Sequence, residues 1–175
     1  MAMAKSESSV PESFVLAVYC WAAVIGGELL HQILQTVTSF IDPSELLAVA
    51  KDSANSTIAE AGDHLLNASV YVSIVMMALL NIAVVIALGV ALRFYARLHR
   101  YGPTSQRLLT IFSAFLVMRG LLIFGAFPAG TKVPTWLPLL DGSVQILIAV
   151  AAVLAIIFAN RSSSIEHVNS AHKEA

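Results

Sequence analysis

The chain has 175 residues, of which 58% are hydrophobic and only 12% are charged, and its mean hydropathy is +0.80. Charged residues are about half as frequent as in an average soluble domain, so the composition excludes an ordinary soluble protein and points to a lipid bilayer. The net charge of -1 gives no sign of a nucleic-acid partner, and the single cysteine, Cys20, excludes an intrachain disulfide.

The first predicted element is a helix that begins at Ser9-Val10-Pro11-Glu12, where a capping-box pattern is combined with proline in the first turn. The apolar run behind it is roughly 20 residues long, which is the length needed to cross the hydrocarbon core. We therefore predict a first membrane span at about residues 13–35.

The segment after the first span is polar and mostly acidic. Asp42-Pro43-Ser44-Glu45 is a second capping pattern, and it predicts a short amphipathic helix on the external membrane surface. Asn55 and Asn67 each begin a glycosylation acceptor pattern, which has meaning only in a eukaryotic protein. The short loops and the alanine-rich spans favour a bacterial source instead.

Three further apolar runs predict spans at about residues 69–92, 108–127 and 138–160. The helical pattern of the second span continues through Arg100 and is expected to end at Tyr101-Gly102-Pro103. In the fourth span, Asp141 is expected in the first turn, where a carboxylate stabilises the helix dipole. Residues 161–175 form a polar tail for which we predict no regular structure.

The predicted fold is an all-α integral membrane protein, an antiparallel up-down-up-down bundle of four transmembrane helices. Residues 1–160 form this one domain, and the short external helix lies between spans one and two. Basic residues set the orientation. Seven of them (Lys5, Arg93, Arg97, Arg100, Arg107, Arg161, Lys173) fall on one side against two (Lys51, Lys132) on the other, which predicts cytoplasmic termini in the cell membrane.

Ionisable and amide side chains inside the apolar spans are the strongest candidates for a functional site. Glu28 and Arg119 fall at similar depths and can pair, and Asn81 in span two can join them. One interpretation is that this cluster fixes the order and register of the helices. The other is a proton- or ion-coupled pathway in which Glu28 titrates and His31, one turn outward, relays protons. We expect His31, Gln32 and Gln35 to lie close enough to the surface to be wetted.

A second candidate is a divalent-metal site at the external ends of the spans. Glu60 and His64 are four residues apart, so one helix face can present a carboxylate and an imidazole together. The full candidate set is His31, Glu60, Asp63, His64 and Asp141. No cofactor is otherwise predicted.

Two interpretations are open for Arg93, Arg97, Arg100 and Arg107. They can contact anionic lipids, or they can serve only to set the orientation of the protein in the membrane. Rows of small residues recur at spacings of four and allow helices to approach closely, within the bundle or against a partner. They are Ala22 with Gly26, Ala83 with Ala87 and Ala91, and Ala151 with Ala155 and Ala159.

Catalytic motifs are missing from the sequence, so we do not expect an enzyme. The leading hypothesis is an accessory or interaction subunit of a membrane complex, bound to another membrane protein or to a second copy through its spans. The alternatives are a small coupled transporter that uses the Glu28 cluster and an externally facing metal-binding protein.

Overall fold

The computed structural model describes residues 10–53, 63–123 and 133–174, and the regular structure in these ranges is entirely helical. Four helices are long and apolar enough to cross a membrane. The predicted all-α bundle of four spans, with a short helix between the first two, is therefore confirmed. In chain order the helices are α1 (Glu12–Ile41), α2 (Ser44–Ser53), α3 (Asp63–Ala96), α4 (Gly102–Ile123), α5 (Trp136–Ala159) and α6 (Ser162–Glu174).

The four long helices form a ring in which α1 packs on α3 and α5, and α4 packs on the same two helices. Successive helices run in opposite directions. As α1 proceeds from Phe14 to Gln32, its partners on α3 run backward from Tyr95 to Asn81. Helices α1 and α4 are therefore parallel and face each other across the diagonal of the bundle.

The end of the bundle where α1 begins is here called the arginine end, because it carries Arg93, Arg97, Arg100, Arg107 and Arg161. Its core is aromatic. Phe14 and Trp21 of α1 both contact Tyr95 of α3, with ring centroids 4.9 Å apart in each pair. These three residues are at most 5% exposed, so this cluster holds α1 against α3 by apolar burial.

Helix α3 ends at Ala96, earlier than the predicted stop after Arg100. Leu98 takes a left-handed conformation with φ 51°, and this closes the helix as a Schellman motif. The N–H of His99 donates to the carbonyl of Phe94 at 3.0 Å, and the N–H of Leu98 donates to the carbonyl of Tyr95 at 3.1 Å. The prediction missed this stop because no glycine marks it.

The predicted unstructured tail is instead the helix α6, so that prediction was wrong. Val168 is only 2% exposed, and the hydroxyl group of Ser164 is hydrogen-bonded to that of Ser13 on α1 at 2.7 Å. His167 packs edge-on against Phe14. The polar composition concealed a narrow face that docks on the arginine end, which supplies the stabilisation that the isolated segment lacks.

Helix α2 packs against α3 at the opposite end. It begins two residues after the predicted Asp42, and the N–H of Ser44 donates to the Asp42 carboxylate at 3.2 Å. Of the two acceptor asparagines, Asn67 lies exposed on α3, and Asn55 lies outside the described residues.

Candidate functional site

The interior of the bundle contains a buried ion pair between Glu28 of α1 and Arg119 of α4. The guanidinium group donates two hydrogen bonds to the carboxylate, from Nη1 to Oε1 at 3.0 Å and from Nη2 to Oε2 at 2.6 Å. The side chain of Glu28 is 4% exposed and that of Arg119 is 24% exposed. This two-pronged geometry is the strongest that an arginine can make with a carboxylate, and it links two diagonal helices.

Two amide side chains extend this pair to a third helix. Gln32, one turn along α1, donates from Nε2 to Oε1 of Glu28 at 2.7 Å. Its own carbonyl oxygen accepts a hydrogen bond from Nδ2 of Asn81 on α3 at 2.8 Å. Gln32 is therefore a bridge inside the bundle, where the sequence had suggested a wetted surface position. We call these four hydrogen-bonded residues, Arg119, Glu28, Gln32 and Asn81, the polar network.

Two glycines next to the ion pair let α5 pack closely on α1 and α4. Gly27 precedes Glu28, and a Cβ atom placed on it would lie 2.7 Å from Cγ1 of Ile148. Gly120 follows Arg119, and a Cβ atom there would lie 2.6 Å from Cβ of Ala149. Each charged residue is thus next to a glycine on which α5 packs, so α5 approaches both α1 and α4 closely at the level of the ion pair.

A second pair lies one turn further along α1. Nδ1 of His31 and Oδ1 of Asp141 on α5 are 2.6 Å apart, and Nε2 of Gln145 donates to the other carboxylate oxygen at 2.9 Å. His31 is 8% exposed, so the expectation that it is wetted was wrong. Helix α5 begins at Trp136, which puts Asp141 beyond the first turn. The Asp141 carboxylate pairs with the His31 side chain on α1 instead, so the predicted interaction of Asp141 with the helix dipole was wrong.

The other members of the predicted metal set do not gather at this pair within the described residues. His64 is exposed near the start of α3, Glu60 lies outside the described ranges, and nothing is described of the Asp63 side chain. Within residues 10–53, 63–123 and 133–174, no group of three histidine, cysteine or acidic residues could hold a metal ion.

The arginines of the predicted lipid-contact set are all exposed at the arginine end. Arg100 lies over the ring of Tyr101, 4.8 Å from its centroid. Arg107 lines a cavity of about 390 Å³ beside the first turns of α4.

The rows of small residues divide between the interior and the outer surface. Ala91, Ala155 and Ala159 are buried inside the bundle. Ala22, Gly26, Ala83 and Ala87 are exposed, and no atom lies within 4 Å of a Cβ placed on Gly26.

The sequence identified Glu28, Arg119 and Asn81, and it placed His31 and Asp141 in one candidate metal set. It did not indicate the roles of Gly27 and Gly120 or the direct pairing of His31 with Asp141. The glycines carried a signal, since each adjoins an intramembrane charge. No protein-family model matches the chain, and neither a curated protein nor a solved structure is significantly similar to it.

Proposed function

We propose that the chain is a non-catalytic accessory or interaction subunit of a membrane complex. The observation that carries this proposal is that Glu28 and Arg119 form a two-pronged ion pair in which the Glu28 side chain is only 4% exposed. A pathway for a substrate would expose such charges to water, whereas a structural pair is dry and hydrogen-bonded. Their role in this proposal is to fix the register of α1 and α4 so that the outer surface keeps one shape.

The outer surface of α3 is the best candidate for the contact with a partner. Only 22% of its most apolar stretch is buried, against 28% to 33% in the other three spans. Ala83 and Ala87 lie one turn apart on this uncovered face. Small residues at this spacing allow a second transmembrane helix to approach closely, which favours helix association in a bilayer.

We also infer that the protein lies in the cell membrane of a bacterium with the arginine end in the cytoplasm. The excess of arginine at that end supports this orientation, because cytoplasmic segments near spans are enriched in lysine and arginine. Helix α6 and the start of α1 then lie on the cytoplasmic side.

The test is purification of the full chain from its native membrane in mild detergent, with Ala83→Leu/Ala87→Leu as the disruptive variant. Ala114→Leu on α4 is the matched control, since Ala114 is also exposed. A membrane protein retained in fixed stoichiometry by the wild type and the control, and lost from the double variant, is the expected result. A second copy of the chain meets the same criterion. A monomer without a partner would overturn the proposal.

A coupled transporter is the second candidate, and one observation favours it. The two pairs that involve Glu28 and His31 lie one turn apart on α1, so titratable groups are arranged stepwise along the helix. Proton flux into vesicles that contain the purified protein would test this alternative with Glu28→Gln. Loss of flux in a folded variant would support transport, and absence of flux in the wild type would exclude proton coupling.

A further inference from the structure

The cavity at the arginine end lies where α4, α5 and α6 meet. Its volume is about 390 Å³, which falls within the usual range for sites that bind small ligands. Arg107 and Thr110 line it from α4, Asn160 from the end of α5, and Asn169 from α6. Its lining contains a cation, amides and a hydroxyl group but no carboxylate, so it suits an anion that also carries hydroxyl groups.

Arg107 is free to bind an anion. It forms no hydrogen bond or ion pair with any other described residue and is exposed at the rim of the cavity. Other polar groups already have fixed orientations. Nε2 of Gln106 donates to the carbonyl of Ala159 at 2.9 Å, and Nδ2 of Asn160 donates to the carbonyl of Ile156 at 2.8 Å. The amide oxygens of Gln106 and Asn160 are therefore left as acceptors for hydroxyl groups.

The surface below the cavity is apolar. Ile111 follows Arg107 by one turn of α4 and is 70% exposed, and Phe115 follows by another turn and is 50% exposed. In a bilayer this stripe runs from the headgroup layer toward the hydrocarbon. A ligand bound at Arg107 that also carries an acyl chain can therefore lay that chain along α4.

We propose that this cavity binds the headgroup of one anionic phospholipid whose headgroup carries free hydroxyl groups, such as phosphatidylglycerol. Arg107 pairs with the phosphodiester, Asn169 and Thr110 add hydrogen bonds, and the oxygens of Gln106 and Asn160 accept from the headgroup hydroxyls. The acyl chain lies against Ile111. This site is independent of the partner surface on α3 and of the polar network.

A second cavity at the same end provides a matched control. Its volume is about 370 Å³, and Arg161 lines it together with Glu12 and Ser163. Arg161 is exposed, as Arg107 is, but its cavity includes a carboxylate that repels a phosphate. Arg161→Gln therefore removes the same charge from the same end without touching the proposed site.

The test measures lipid binding to the full-length protein by native mass spectrometry in mild detergent, with dioleoyl phosphatidylglycerol and dioleoyl phosphatidylcholine as probes. We expect one phosphatidylglycerol to bind more tightly than phosphatidylcholine. Arg107→Gln should weaken its binding at least about fivefold, because one surface arginine contributes about that factor toward an anionic lipid. Asn169→Leu should also weaken the binding of phosphatidylglycerol, because it removes a hydrogen-bonding amide from the lining, and Arg161→Gln should change little.

Three results would overturn the proposal. Equal weakening by Arg107→Gln and Arg161→Gln would mean that only the general surface charge matters. Equal binding of the two lipids would exclude headgroup recognition. Saturation of the site by glycerol 1-phosphate, with no lipid retained, would assign the cavity to a soluble phosphate ester instead.

Discussion

At the scale of single residues, the ion pair between Glu28 and Arg119 makes the largest demand on the bundle. A charge left alone in this interior is strongly unfavourable, whereas a pair with two hydrogen bonds is tolerated. Neither residue can therefore be replaced without regard to the other. This interdependence distinguishes a structural pair from two unrelated polar residues, and it can be measured.

We expect Arg119→Met to lower the free energy of unfolding by about 3 kcal/mol, because it leaves a buried carboxylate without its cation. Glu28→Leu should have a similar effect. The double variant should lose much less free energy of unfolding than the sum of the two single losses. An apolar pair of similar size can replace a buried ion pair with little net change in stability. Reversible unfolding in mixed micelles measures the cycle.

Arg97→Met is the control for this cycle, because Arg97 is exposed and its side chain forms no hydrogen bond or ion pair among the described residues. This substitution should change the free energy of unfolding by no more than about 0.5 kcal/mol. Additive losses for Glu28→Leu and Arg119→Met would show that the two charges do not stabilise each other.

At the scale of helices, the approach of α5 to α4 depends on Gly120. A methyl group there would lie 2.6 Å from Cβ of Ala149, a side chain with no rotamer to move into. We expect Gly120→Ala to destabilise the protein by about 1 to 3 kcal/mol, since the helices themselves must separate. Gly27→Ala should also destabilise the protein, because Cγ1 of the buried Ile148 would lie 2.7 Å from the new methyl group and moves only if this branched side chain leaves its preferred rotamer.

Gly26→Ala is the matched control on the outer surface, where no atom lies within 4 Å of the new methyl group. It should be neutral or stabilise by up to about 1 kcal/mol through helix propensity. Thermal unfolding of the three glycine variants in one detergent measures their relative stabilities. A loss in Gly26→Ala as large as that in Gly120→Ala would contradict the packing argument.

Helix α6 is stabilised by its packing against the arginine end, so its stability should depend strongly on the buried side chain of Val168. Val168→Ala removes two methylene-sized groups from a residue that is 2% exposed. We expect hydrogen exchange of the α6 amides to accelerate about tenfold, which corresponds to about 1.4 kcal/mol. Ile165→Ala, at a residue 38% exposed, should change exchange far less. Unchanged α6 exchange in Val168→Ala would mean that α6 is stable without this contact.

The sequence allowed the spans to be predicted because length and hydropathy alone decide them, but it did not predict how the helices are rotated about their axes. The pairing of Glu28 with Arg119 was predicted from their similar depths in the membrane, and these depths follow directly from their positions along the spans. His31 and Asp141 meet because of rotation and close packing, which no local pattern records. Helix α6 was missed for a related reason, since Ser164 and Val168 are the only deeply buried side chains among its residues 162–170.

At the scale of the whole molecule, α1 is the centre of the polar contacts. Every hydrogen bond between side chains of two different helices in the described residues has one partner on α1. These partners are Ser13, Trp21, Glu28, His31 and Gln32, which reach α3, α4, α5 and α6. The other long helices pack mainly through apolar and small side chains. Thus α1 sets the order of the helices around it.

Since α1 begins at the arginine end, its direction decides the topology of the whole bundle. We expect Arg97 to face the cytoplasm and Glu45 on α2 to face outward, because the arginines outnumber the basic residues of the opposite end. Both side chains are exposed. A membrane-impermeant maleimide applied to intact cells should therefore label Glu45→Cys and leave Arg97→Cys unlabelled, with Cys20 replaced by serine in both variants. After permeabilisation, Arg97→Cys should be labelled as well, which controls for reactivity. The reverse pattern in intact cells would invert the topology and place α6 and the proposed phospholipid site at the outer leaflet.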